Sequence, residues 1–219
     1  MKVLVACEFS GTVRDAFLRR GHDAMSCDLL PTESPGPHYQ GDVRDAICLR
    51  SRWDLVVLHV PCTAMGVCGN GTYGKGNAKH HKRKAAVKWT LGVWDLASSL
   101  SSAVALENPA SVIFPILRRE RGAGVQYIQP WQFGHPEQKK TGLALRGVPR
   151  LVGTRNVYDE MMRLPRRERE RIHFMSPSPD RGHERSRFFS GIAEAMAEQW
   201  GSPKPRPGEL PFGDPIHEK

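Results

Sequence analysis

The chain has 219 residues, 39% of them hydrophobic, and a net charge of +9. That length suits one domain with a full core and is short for two. No run approaches the ~18 consecutive apolar residues of a membrane helix, and the opening MKVLVACEFSG lacks a signal-peptide cleavage site, so an intracellular, cytoplasmic protein is expected.

Val3–Cys7 reads as a buried strand, followed by the turn Glu8-Phe9-Ser10-Gly11. Thr12–Arg20 places Val13, Ala16 and Phe17 at helical spacing and stops at Gly21. Asp23–Cys27 is a second strand ending at Asp28, and Pro31, Pro35, Gly36 and Pro37 mark a loop. A short segment, DVRDAICL, runs from Asp42 to Leu49; Asp54–Val60 is then a strongly apolar run halted by Pro61-Cys62. Gly66–Gly76 reads as a flexible glycine-rich loop, and Lys79–Lys88 opens a helix continuing to about Ser99. Ala103–Leu106 is another buried strand, meeting Glu107-Asn108-Pro109. Val125–Pro130, Thr141–Leu145 and Gly153–Val157 are the later strand candidates. Arg163–Arg171 is expected as a charged, exposed helix, and Ser190–Trp200 as an amphipathic one with Ile192, Met196 and Trp200 on one side. After Gly201 the chain carries five prolines, so residues 1–200 read as one domain and 201–219 as a disordered tail. Repeated strand–helix alternation predicts an α/β fold, a Rossmann-like, doubly wound and mostly parallel sheet.

In such a sheet, ligands bind where strands end. Five features stand at such ends here: Phe9-Ser10-Gly11, Asp28, Asp42, Pro61-Cys62 and Glu107-Asn108-Pro109. A glycine turn lets backbone approach a ligand, and an acid at the next strand end suits ribose hydroxyls. Glu8 is open between a cofactor contact and a structural acid. Neither GxGxxG nor GxxxxGK[ST] occurs, which removes support for dinucleotide and P-loop readings. The charge is also segregated. Between Asp54 and Asp95 there is no acid, but there are Lys75, Lys79, Lys82, Arg83, Lys84 and Lys88. From Glu137 to Asp159 a second acid-free interval holds Lys139, Lys140, Arg146, Arg150 and Arg155. Single-sign stretches of this kind suit phosphate contacts, or form a solvated basic face. The five scattered cysteines read as free thiols.

The order FSG, Asp28, Gly41-Asp42, Pro61-Cys62 and Glu107-Asn108 resembles the motif series of DNA cytosine-C5 methyltransferases over about the first 110 residues. PWQFGHPEQKKTGLAL and RSRFFSGIAEAMAEQW resemble short, phage-like members of that family, which lack a large target-recognition domain. The resemblance implies a class I S-adenosylmethionine-dependent methyltransferase fold with DNA as partner and the cytoplasm of a bacterial or phage-infected cell as location. It implies Phe9, Ser10, Gly11, Asp28, Asp42 and Pro61 at the cofactor, Cys62 as nucleophile and Glu107 as its proton-handling partner. Asn108 and Lys140 would contact the base, with Lys82, Arg83 and Lys84 on the backbone phosphates. The chain departs from the family pattern in three places. Thr63 follows Pro61-Cys62 where the family has Gln; the usual Gln-x-Arg-x-Arg is answered by Gln138-Lys139-Lys140; and FxGxG has become Phe9-Ser10-Gly11-Thr12-Val13. The short stretch after Lys140 implies few base-specific contacts.

Three other readings stay open. A modified donor such as carboxy-S-adenosylmethionine would give a 5-carboxymethyl or other 5-alkyl cytosine. A zinc-stabilised module would use His59, Cys62, Cys68, His80 or His81, although the spacings are irregular, the reading favours no metal, and strand alternation turns His59 away from Cys62. An inactive DNA-binding relative would retain Cys62 and Glu107 without using them.

Overall fold

The computed structural model describes residues 1–178 and 181–201. Five parallel strands come first: β1 (Lys2–Ala6), β2 (Asp23–Asp28), β3 (His38–Gln40), β4 (Leu55–His59) and β5 (Val104–Pro109). Two more, β6 (Gly124–Ile128) and β7 (Thr141–Arg146), complete a seven-stranded sheet in the order β3-β2-β1-β4-β5-β7-β6, with β7 antiparallel to both neighbours. The sheet is Rossmann-like, doubly wound and mostly parallel, as the strand–helix alternation predicts.

Hydrophobic runs select the central strands. In β1, Val3, Leu4, Val5 and Ala6 are wholly buried, because both sheet faces are covered. On one face, Val3, Val5, Leu55 and Val57 pack against α1 (Thr12–Arg19) and α10 (Ser190–Gly201). On the other, Leu4, Val56, Leu58 and Leu106 meet α2 (Val43–Cys48), α4 (His80–Leu100) and α5 (Ile113–Arg121). Each such side chain contributes ~1.5–3 kcal/mol on burial. Glu194 pairs with Arg19 and Arg20, holding α10 against α1 across the length of the chain.

Several boundaries and elements differ from expectation. The strand β3 follows directly on the predicted Pro/Gly loop, and α5 lies in a stretch for which the sequence predicts no element. Its Pro115 lies in the first turn, where a missing N–H costs nothing, and Gly122, at φ 64°, ends it. The glycine-rich segment after Cys62 is not a plain loop: it holds a 3-10 turn (Val67–Gly69) and the short α3 (Asn70–Tyr73). The charged helix expected at Arg163–Arg171 is broken. Pro165 separates α6 (Tyr158–Arg163) from α7 (Arg166–Arg169), and α8 (Arg171–Phe174) follows. Gly153–Val157 forms no strand; Arg155 makes one isolated bridge to Phe133. A further short helix, α9 (Arg181–Ser186), precedes α10. The predicted disordered tail, beyond Gly201, lies outside the described residues. Among the described residues, no helix is long and apolar enough to cross a membrane.

Candidate active site

The parallel strands all point their carboxyl ends toward one edge of the sheet, and a cavity of about 140 Å³ opens there. Its walls come from the chain just past β1 (Cys7, Glu8, Phe9, Ser10), from β4 and its continuation (His59, Val60, Pro61, Cys62), and from the end of β5 (Glu107, Asn108, Pro109). Lys139, Arg185, Ser186 and Phe188 close it from the C-terminal part of the chain.

The β1 corner is the most constrained. Cys7 adopts φ 59°, a left-handed conformation that is rare for a residue with a Cβ. This reversal brings the buried Glu8 under the start of α1, where its carboxylate accepts from Val13 N (2.6 Å) and Arg14 N (3.3 Å). A carboxylate there satisfies free amides and meets the positive end of the helix dipole. Burial still pushes the Glu8 carboxyl upward, opposed by His59 and by those two amides. Glu8 is therefore a structural acid that also forms part of the wall. Gly11, at φ 74°, must be glycine: a Cβ would lie 2.4 Å from the Arg14 guanidinium. Arg14 is wholly buried and donates to Asp15, Ser26, Thr32 and the Ser34 carbonyl, stitching α1 to β2 and its following loop.

Asp28 and Asp42 do not line the cavity. The Asp28 side chain accepts from Leu30 N at 2.9 Å. Asp42 caps α2 through Arg44 N (2.8 Å) and is gripped by the Arg44 guanidinium, which holds its carboxyl down to about 2. Both acids nonetheless stand near the rear of the site. With burial first and Cys27 next, they push the Cys7 thiol far above its usual range.

Cys62 is exposed as a residue and lines the same cavity. Desolvation and the Glu107 carboxylate push its thiol up, while Lys139 pulls it down. Met65 N and Gly66 N both donate to the Cys62 carbonyl, forming a tight turn. Asn108, wholly buried, donates to Val60 O at 2.8 Å and so fixes the entry to Pro61-Cys62. Arg83 braces the exit. Its guanidinium donates to Ala64 O (2.7 Å), Gly66 O (3.1 Å) and Asn70 Oδ1 (2.7 Å). It is buried, and its donors are committed to the protein, unlike those of its neighbours Lys82 and Lys84, which are exposed on the first turn of α4.

Lys140 is exposed, with its ammonium 4.6 Å from the centre of the Tyr127 ring. It is Lys139 that lines the cavity, held by the carbonyls of Arg185 (3.0 Å) and Arg187 (3.4 Å). Phe9, Ser10, Pro61, Cys62, Glu107 and Asn108 thus come together, whereas Gly11, Asp28, Asp42, Lys140, Lys82, Arg83 and Lys84 lie outside the cavity wall.

His59, which the sequence offers only as a candidate zinc ligand, also lines the cavity. Its Nδ1 lies 3.2 Å from Glu107 Oε2, and Phe188 packs edge-on against its ring. Strand alternation pointed it away from Cys62, but alternation stops where Pro61 ends the strand and the chain turns back over its tip. The signal available was the register: in parallel neighbours β4 and β5, His59 sits opposite Glu107. Among the described residues, no three His, Cys, Asp or Glu side chains are grouped to hold a metal ion.

No protein-family model and no curated protein sequence matches the chain. Among solved structures, a methyltransferase of Entamoeba histolytica is similar at 13% identity and a TM-score of 0.47, over 70% of this chain and 57% of that one. The S. pombe Dnmt2 methyltransferase matches at 16% identity and 0.46, over 73% and 53%. NSun6 from Pyrococcus horikoshii, solved with SFG, matches at 16% and 0.44, over 68% and 48%. The chain thus spans about half the length of each of these three proteins, and scores of this size decide nothing about chemistry.

Proposed function

We propose that the protein is an S-adenosylmethionine-dependent methyltransferase that modifies carbon 5 of a cytosine in DNA through a covalent bond to Cys62. One observation carries this reading: a thiol and a carboxylate from adjacent parallel strand ends, Cys62 and Glu107, line one small cavity beside the Phe9-Ser10 turn. Carbon 5 of cytosine is too weakly nucleophilic to take a methyl group unaided. Addition of the Cys62 thiolate to carbon 6 shifts the ring electrons toward N3, which takes a proton from Glu107; carbon 5 is then part of an enamine. After methylation Glu107 recovers the N3 proton, a base takes the carbon 5 proton, and the thiolate is expelled.

S-adenosylmethionine, when bound, supplies a methyl group on a positively charged sulfur. The residues present fit it at the β1–β2 side of the cavity. Phe9 and Ser10 form the near wall, Asp28 ends β2 as an acid for ribose hydroxyls, and Leu29 (73% exposed) offers apolar surface beside it. Leu29 and the half-exposed Leu30 have little other reason to face water at a strand end. A base inside a duplex cannot reach such a cavity, so the target nucleotide must be extruded. The exposed Lys75, Lys79, Lys82 and Lys84 flank the Cys62 turn and suit the phosphates around it.

DNA carrying 5-fluorocytosine tests the reading, because fluorine at carbon 5 blocks the final elimination. With S-adenosylmethionine, the protein is expected to form a stable covalent complex, mapped by mass spectrometry to Cys62 and absent in Cys62→Ala. A complex that survives that substitution, or none in the wild type, refutes the reading.

A further inference from the structure

His59 is where the site has more polar chemistry than the reading above uses. Its ring is nearly buried, with a side-chain exposure of 11%, between β1, β5 and the strap that carries Phe188. The Nδ1 atom meets Glu107 Oε2, the single hydrogen bond of that carboxylate among the described residues. Its Nε2 is buried in the cavity wall and has no partner among them.

The other charged and titratable groups that face this ring are already committed. Glu8 is tied to the amides of Val13 and Arg14. Lys139 is held by the Arg185 and Arg187 carbonyls. The Cys7 thiol is held neutral by burial and nearby acids, Arg185 lines the far wall, and Cys62 is the nucleophile itself. Among the described residues, only the imidazole is hydrogen-bonded to the Glu107 carboxylate.

We propose that His59 is the positioning residue of Glu107, and that the two side chains together store the proton that Glu107 hands to N3 of the target base. This rests on the cytosine-C5 reading. In the resting pair one proton is shared beyond that of a neutral imidazole and a carboxylate. When the Cys62 thiolate bonds to carbon 6, the proton on Glu107 moves to N3. His59 is left neutral, its Nδ1–H donated to the Glu107 carboxylate, which aims the free oxygen at the base. After methyl transfer the N3 proton returns to Glu107, and the pair is restored with no net gain or loss.

A carboxylate alone keeps a proton only at lower pH than an imidazole–carboxylate pair does, since ordinary Glu and His values differ by roughly two units. The test is the pH dependence of adduct formation on 5-fluorocytosine DNA in wild type, His59→Gln and His59→Asn. Both amides can donate to Glu107, but neither takes up a proton. Because burial also holds the Cys62 thiol above its ordinary range, thiolate gain offsets loss of the stored proton and the rate is level between the two titrations. The proposal expects that level stretch to begin up to roughly two units lower in the variants, with a loss of about a hundredfold along it and little loss at more acidic pH. It also expects His59→Gln to leave the profile unchanged in a Glu107→Gln background. A uniform loss at every pH, as a packing defect would give, overturns it, as does an unshifted profile. Failure of the wild type to form any adduct removes the proposed function and this inference together. An adduct with an unshifted variant profile removes the inference alone.

Discussion

Two halves of the same sheet edge treat polar groups in opposite ways. Around β1–β3, they are spent on the protein itself: the Arg14 guanidinium has five protein acceptors, Glu8 caps α1, and Asp42 is gripped by Arg44. Around β4–β5, His59 Nε2 and Asn108 Oδ1 are buried without partners among the described residues, and burial holds the Cys62 thiol above its ordinary range. Leaving such groups unsatisfied costs ~1–3 kcal/mol each. A fold keeps that cost where something else completes the bonding, so the second half reads as the reacting end and the first as its scaffold.

Substitutions on the two sides should therefore fail differently, and the largest effect belongs to the reacting end. Glu107→Gln should lower the methyl-transfer rate by ~10²–10⁴-fold with DNA affinity in gel-shift titrations almost unchanged. An equal fall in affinity would make Glu107 a binding residue. On the scaffold side, Arg14→Met should cost ~3–5 kcal/mol in chemical denaturation, because Asp15, Ser26 and Thr32 lose a buried donor; a loss below 1 kcal/mol would erase the contrast between the halves. Arg83→Met tests the border between them. With the exit of the Cys62 turn unbraced, kcat should drop by ~10²-fold, and because Ala64 O, Gly66 O and Asn70 Oδ1 lose their donor the melting temperature should also fall, but by less than in Arg14→Met.

Smaller effects sharpen the same contrast. Asp42→Ala should cost ~1 kcal/mol at neutral pH as a lost helix cap. Its folded carboxyl is held at about 2 by Arg44, below the ordinary value, so its contribution is present above that ordinary value and is lost as the pH falls toward 2. Wild-type and variant melting temperatures should converge there. Smallest at a single salt concentration are Lys82→Ala and Lys84→Ala, each expected to reduce the slope of log affinity against log salt by ~1. An unchanged slope would remove α4 from the DNA surface.

How much of this could be read from the residues follows the same division. Central strands are wholly buried, so β1, β4, β5 and β7 announce themselves as apolar runs, and the features at their tips could be placed on one edge before any coordinates. The strand β3 could not be: at the sheet margin His38 and Tyr39 are only partly buried and Gln40 is exposed, and no pattern marks them. Cys62, Glu107 and Asn108 were legible because strand ends fix them. His59 and Lys139 were not. One depends on how the chain folds back after Pro61, and the other on carbonyls from residues 46 and 48 positions away.

The brace supplied by Arg83 has a consequence for how this surface can change. The same turn of α4 that presents Lys82 and Lys84 to solvent sends Arg83 inward to the carbonyls of the Cys62 turn. Under the proposed function, the grip on a polyanion and the aim of Cys62 are thereby one rigid piece. Lengthening or grafting the basic segment would move the sulfur, so a new DNA preference would have to be acquired elsewhere, with α4 left as it is.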